Sequence, residues 1–230
     1  MEAWEKAVHK FLTPWKAKKY VIGALVTGSF VPGNATKHSD VDLHIILDGK
    51  VKWRERGNKM VDGFLIEYFA NPPQQLKKCM EEGYRDGKRV DARMYLLGKI
   101  IFDRTGEVKK LQENAKKEFK KKFKKPDKVW TELTKYSIWE ALDDLTATKH
   151  QKPIQFRYNC NLVLSDLLKK YAKYLGAELV PPAKLHRLFF DKIYRKNSHL
   201  HEFPDRTFVN LFVICLKSKM MINCWRKQKN

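Results

Sequence analysis

The sequence has no long apolar segment and no closely spaced pair of cysteines. Charged residues interrupt every apolar stretch before it reaches bilayer-spanning length. The first residues are charged and amphipathic rather than a signal-peptide core, so we expect a cytoplasmic protein. The four cysteines are scattered without a C-x-x-C pair, which argues against a zinc site or a thioredoxin-like redox motif.

Acidic residues are scarce relative to basic ones. The 230 residues include 47 Lys and Arg against 26 Asp and Glu, which gives a net charge of +21. Residues 1–106 carry 19 basic and 13 acidic side chains, and residues 107–230 carry 28 and 13. Such a field attracts nucleoside triphosphates, nucleic acid or an acidic membrane surface, but a well-solvated lysine-rich surface explains it equally well. Charge alone therefore does not identify the partner.

The hydrophobic pattern changes near Gly106. Before this residue, short runs rich in β-branched residues predict four strands, and helical periodicity predicts three helices. The predicted strands are 20–26, 40–47, 64–70 and 99–102, and the predicted helices are 3–19, 73–82 and 89–97. Downstream, the pattern is helical throughout, with helices predicted at 107–124, 127–150, 153–175, 182–195 and 205–226. We therefore predict an α+β protein, with a mixed sheet flanked by helices in residues 1–106 and a helical bundle in 107–230.

The second predicted strand carries two aspartates on one face. In the run Asp40-Val41-Asp42-Leu43-His44, strand alternation places Asp40 and Asp42 together and the aliphatic residues on the opposite side. Aspartate is disfavoured in strands, and two half-buried carboxylates on one face repel each other. A divalent cation removes that conflict, and Mg²⁺ prefers carboxylate oxygen. This pattern predicts that Asp40 and Asp42 bind a metal ion.

Two further elements point to the same chemistry. Gly28-Ser29 follows the first predicted strand, where backbone amides and a serine hydroxyl can hold a phosphate. Glu67 is a lone carboxylate within the apolar run 64–70 and needs a partner when it is half-buried. If its strand lies beside the strand 40–47, Glu67 joins the two aspartates.

These residues resemble the signature of the nucleotidyltransferase superfamily, which includes DNA polymerase beta and the kanamycin and lincosamide nucleotidyltransferases. The shared pattern is Gly28-Ser29, a short loop, then Asp40-Val41-Asp42, with Glu67 as the third carboxylate on a later strand. The resemblance covers residues from about 20 to 105. It implies a catalytic nucleotidyltransferase domain with the polymerase-beta-like fold.

The resemblance also implies roles for these residues. Asp40 and Asp42 would hold two Mg²⁺ ions, Glu67 would complete the metal site, and Gly28 and Ser29 would contact the triphosphate. The implied reaction transfers a nucleoside monophosphate, with ATP as the usual donor, to a hydroxyl group of a small, antibiotic-type acceptor, and pyrophosphate leaves.

The helical half resembles the all-helical domain of the antibiotic nucleotidyltransferases, in which a carboxylate acts as general base. Glu140 and Asp144, four residues apart on one helix face, are the candidates here, with Asp143 beside them. Lys149, one turn further on, is a candidate phosphate contact. Each of these residues fits a solvated helix face equally well.

Two other functions stay open at this stage. One is a toxin–antitoxin-type protein, since Arg195 and His201 have the spacing found in helical ribonuclease domains that pair with minimal nucleotidyltransferases. The other is a non-catalytic nucleic-acid-binding protein that uses the basic helical half. The sequence also leaves a homodimer open.

Overall fold

The computed structural model of the protein describes residues 1–33, 35–148 and 153–217. Two compact units can be separated. The first comprises Met1–Lys121 and Lys192–Leu200, and the second comprises the remaining described residues, within 122–191 and 201–217. The division into domains at residues 1–106 and 107–230 stays a prediction.

The first unit contains a five-stranded sheet and its flanking helices. Its elements are α1 (Ala3–Lys16), β1 (Val21–Thr27), β2 (Val41–Leu47), β3 (Glu55–Val61), β4 (Phe64–Asn71), α2 (Pro73–Arg85), α3 (Val90–Leu97), β5 (Lys99–Asp103), α4 (Glu107–Lys120) and α8 (Lys192–Asn197). The strand order is β3-β4-β2-β1-β5. β2 and β4 run parallel, and the other neighbouring strands are antiparallel, so the sheet is mixed. The prediction of an α+β protein with a mixed sheet is confirmed.

The sheet is covered by apolar side chains on both faces. Val41, Leu43 and Ile45 of β2 are fully buried in a cluster that includes the apolar side of α1. Ile46 lies on the other face, in a cluster formed with residues of α2, α3 and α4. Burial of both faces explains why β2 reads as a nearly continuous apolar run, as expected for a central strand with a parallel neighbour. Only Asp42 and His44 interrupt that run.

The strand β3 was not predicted. Its sequence, Glu-Arg-Gly-Asn-Lys-Met-Val, shows no apolar alternation, and all but the last residue are exposed or half-buried. β3 lies at the edge of the sheet, where charged residues are common because they discourage pairing with other chains. The backbone bonds with β4, rather than side-chain burial, define this strand.

The second unit is helical in its described residues. It contains α5 (Lys128–Thr148), α6 (Pro153–Leu175), a short 3₁₀ turn (Pro182–Lys184), α7 (Leu185–Phe190) and α9 (Arg206–Lys217). The helix predicted at 182–195 is wrong: the 3₁₀ turn, α7 and α8 replace it. The break before α8 occurs at Asp191, whose backbone is extended and whose carboxylate accepts a hydrogen bond from Arg187.

Asp205 defines the start of α9. Its carboxylate accepts hydrogen bonds from the backbone amide of Phe208 at 2.8 Å and from the Tyr171 hydroxyl at 2.6 Å. The first contact satisfies an otherwise unpaired amide in the first turn of the helix. The second raises the pKa of Tyr171 to about 12. Together they join α9 to α6. None of the helices in the described ranges is long and apolar enough to span a membrane.

Candidate metal centre

Three carboxylates meet on one face of the sheet. Asp40 immediately precedes β2, and Asp42 lies two residues further on, so both side chains point the same way. The parallel pairing of β2 with β4 places Asp42 directly beside Glu67. Asp40, Asp42 and Glu67 are each half-buried, and each offers a carboxylate oxygen within 4.8 Å of the others. The structure thus brings together the three predicted metal ligands.

Gly28 provides the space that the Asp42 carboxylate occupies. Thr27, the last residue of β1, pairs with Asp42, so the turn that follows passes beside the carboxylate. The φ angle of Gly28 is +75°, in the left-handed region that favours glycine. A Cβ atom at this position would lie 1.8 Å from Oδ2 of Asp42. Ser29 follows Gly28 in the same turn.

Thr27, which pairs with Asp42 across β1 and β2, carries a buried hydroxyl. Thr27 is 1% exposed, and its Oγ1 has no hydrogen-bond partner within the part of the chain that the structure describes. A buried hydroxyl without a partner is costly and needs an explanation, such as a bound ligand or water. The clustered carboxylates and this unsatisfied hydroxyl fit a hard divalent cation coordinated by oxygen.

His44 lies on the same face of the sheet as the carboxylates, but its contacts are those of a packed core residue. It is 6% exposed; its ring stacks on Phe69, and its Nδ1 lies 3.0 Å from the Tyr95 hydroxyl. Burial lowers the pKa of His44 to about 4, so the ring is neutral at physiological pH. A neutral, packed imidazole does not supply positive charge to a phosphate group. This side chain therefore packs between Phe69 and Tyr95 rather than acting as a phosphate contact.

Arg56 contacts the cluster and was missed by the sequence analysis. Its Nη2 and Nε donate hydrogen bonds to Oε1 of Glu67 at 2.5 and 3.2 Å. Its guanidinium also lies 4.9 Å from the centroid of the Phe69 ring. Because β3 has no strand-like pattern, nothing in the sequence indicated that Arg56 would be brought next to Glu67.

The candidate general bases of the helical half belong to the second compact unit. Glu140 and Asp144 are exposed on α5, and their role as general base stays a prediction. Lys149 lies outside the described residues. Arg195, part of the proposed ribonuclease pattern, is 7% exposed in α8, and this burial does not favour a role in contacting RNA.

Comparison with known proteins identifies the family. A family model described as "Nucleotidyltransferase domain" matches residues 8–144, more than half of the chain. The chain therefore belongs to the nucleotidyltransferase domain family. This membership supports nucleotidyl transfer in general, and hence a transferase that uses a nucleoside triphosphate and a divalent metal.

Among the solved structures that are similar to the chain, one covers most of it. It is a nucleotidyltransferase-like protein from Exiguobacterium sibiricum 255-15, with 14% sequence identity and a TM-score of 0.46. The similarity covers 95% of this chain and 74% of the other. No protein of curated function matches the chain.

Proposed function

We infer that this protein is a Mg²⁺-dependent nucleotidyltransferase that transfers AMP from ATP to a hydroxyl group of a small, antibiotic-type molecule. The observation that carries the inference is the convergence of Asp40, Asp42 and Glu67 within 4.8 Å of one another, beside the turn at Gly28. Membership of the nucleotidyltransferase domain family supports the general reaction. The metal, the donor and the acceptor are the proposed parts, together with a cytoplasmic location.

Different residues of the site would bind the metal ion and the triphosphate. Asp40 and Asp42 would hold the metal from the end of β2, and Glu67 would hold it from β4. Bound Mg²⁺ supplies stabilisation of the negative charge that develops on the phosphates. Gly28 and Ser29 would bind triphosphate oxygens through a backbone amide and a hydroxyl.

The reaction itself is an in-line displacement. The acceptor oxygen forms a bond to the α-phosphorus, and the bond from that phosphorus to the bridging oxygen of the β-phosphate breaks. Pyrophosphate leaves with the bridging oxygen, and the acceptor hydroxyl proton passes to a general base. Glu140 and Asp144 are the proposed candidates for this base. Residues that only position the substrates can contribute much of the rate in such a reaction.

A direct assay tests this proposal. The protein is incubated with Mg²⁺, one labelled nucleoside triphosphate at a time, and a panel of aminoglycosides, lincosamides, tRNA and proteins. We expect pyrophosphate release with ATP and a labelled product on a small molecule. Labelled product on tRNA or protein alone would contradict the proposed acceptor class. Tight RNA binding without any product would instead favour a non-catalytic nucleic-acid-binding protein.

A further inference from the structure

Arg56 holds the third carboxylate of the cluster. Two of its nitrogens, Nη2 and Nε, donate to the same oxygen of Glu67, Oε1, so the pair has a defined geometry rather than a single loose contact. The Glu67 side chain is 24% exposed, while the Arg56 side chain is 69% exposed. The positive charge therefore approaches the cluster from the solvent side, at the sheet edge formed by β3.

The position of Arg56 is fixed by its surroundings on the sheet. Arg56 pairs with Phe69 across β3 and β4, and its guanidinium lies over the Phe69 ring. That ring in turn stacks on buried His44, with centroids 5.1 Å apart. A guanidinium over an aromatic face gains cation–π attraction, which holds it beside Glu67 even though it is largely exposed. Contacts with Phe69 and Glu67 thus define the position of the Arg56 guanidinium.

Arg56 and a divalent ion would compete for the same negative charge. Three carboxylates within 4.8 Å repel one another when no cation is present, and Arg56 offsets part of that repulsion. When a divalent ion enters, the same guanidinium repels it and shares Glu67 with it. Arg56 therefore stabilises the metal-free protein and opposes metal binding.

We propose that Arg56 is a positioning residue that serves as the built-in counter-charge of Glu67 and sets the affinity of the carboxylate cluster for divalent cations. The inference rests on the proposed metal site and adds a residue to it that the shared sequence pattern does not contain. It assigns a purpose to the charged edge strand β3, which otherwise buries little apolar surface.

Titration with Mn²⁺ alone tests the charge effect. Free Mn²⁺ is measured by electron paramagnetic resonance with full-length wild type, Arg56→Gln, Arg56→Lys and Arg54→Gln. We expect Arg56→Gln to bind Mn²⁺ about fivefold more tightly at low ionic strength, with the difference shrinking as salt is added, because Arg56 is exposed and its field is screened. Arg56→Lys keeps the charge and should stay close to wild type. Arg54→Gln removes the same charge from an exposed residue just before β3 and should change little.

Thermal unfolding in EDTA supplies the second readout. Arg56→Gln should lower the melting temperature of the metal-free protein, and the same substitution in a Glu67→Gln background should not, because the carboxylate that it balances is then neutral. A double-mutant cycle of this kind isolates the interaction between the two residues.

The results of these experiments distinguish failure of the role of Arg56 from failure of the proposed metal site. Unchanged or weaker Mn²⁺ binding by Arg56→Gln, with normal binding by wild type, would overturn the role of Arg56 alone. Loss of ATP affinity without any change in Mn²⁺ affinity would also overturn it, since Arg56 would then be a phosphate contact. Absence of Mn²⁺ binding by wild type would overturn the metal site and this inference together.

Discussion

Replacing Asp42 by asparagine is expected to lower the rate of nucleotidyl transfer by at least about a thousandfold, while the protein stays folded. Asp42 offers a carboxylate oxygen within 4.8 Å of those of Asp40 and Glu67, and the neutral amide of asparagine cannot balance a divalent charge. Metal ions contribute several kcal/mol to such reactions, and each 1.4 kcal/mol or so is a factor of ten in rate. Pyrophosphate release under saturating ATP and Mg²⁺ measures the effect.

Asp48→Asn is the matched control for that substitution. Asp48 follows β2 at its other end, where Oδ1 accepts a hydrogen bond from the backbone amide of Lys50. It lies outside the carboxylate cluster, so its replacement should leave the rate within a small factor of wild type. Equal rates for Asp42→Asn and Asp48→Asn would contradict the assignment of Asp42 as a metal ligand.

Gly28→Ala is expected to abolish detectable metal binding by displacing the Asp42 carboxylate. The new Cβ would lie 1.8 Å from Oδ2 of Asp42, far closer than any allowed contact, so the side chain has to move. The backbone at φ +75° adds strain of roughly 1–2 kcal/mol for alanine. Mn²⁺ titration measures the loss of binding, and far-ultraviolet circular dichroism shows that the fold is retained.

The Gly33→Ala variant distinguishes the effect of the steric clash with Asp42 from the effect of backbone strain. Gly33 has φ +70°, nearly the same backbone conformation, but a Cβ atom there would meet nothing within 4 Å. Its replacement should cost stability to a similar degree and leave Mn²⁺ affinity close to wild type. If both variants lost Mn²⁺ binding equally, the loop conformation rather than the contact with Asp42 would be responsible.

The parts of the site that the sequence predicted are those with a strong local pattern. Asp40 immediately precedes an apolar strand and Asp42 lies within it, and strand alternation alone places both on one face. Gly28-Ser29 follows an apolar run, which marks a turn. The position of Glu67 depended on an assumed strand pairing, and the parallel register between β2 and β4 brings it beside Asp42.

The contact between Arg56 and Glu67 could not be predicted from the sequence, for a physical reason. An edge strand is defined by backbone hydrogen bonds to a single neighbour and buries little side-chain area, so its residues need not alternate. The run 55–61 therefore reads as a polar loop, and the contact between Arg56 and Glu67 depends on a pairing that only the folded chain reveals. The sequence does not show which residues of β3 and β4 are paired.

The prediction of one helix over 182–195 was wrong because the sequence does not mark the break at Asp191. The apolar and basic residues there have helical spacing throughout, and no proline or glycine interrupts them after Pro182. The interruption at Asp191 is an extended backbone conformation at a single polar residue. Periodicity predicts that a segment is helical but does not predict where tertiary packing divides it.

The most direct test of the metal centre is a crystal structure with Mn²⁺ and a non-hydrolysable ATP analogue, measured for the anomalous signal of manganese. The account predicts anomalous density enclosed by the carboxylates of Asp40, Asp42 and Glu67, with the triphosphate beside the turn at Gly28 and Ser29. Manganese bound elsewhere on the protein, with these three carboxylates making no contact to it, would contradict the account.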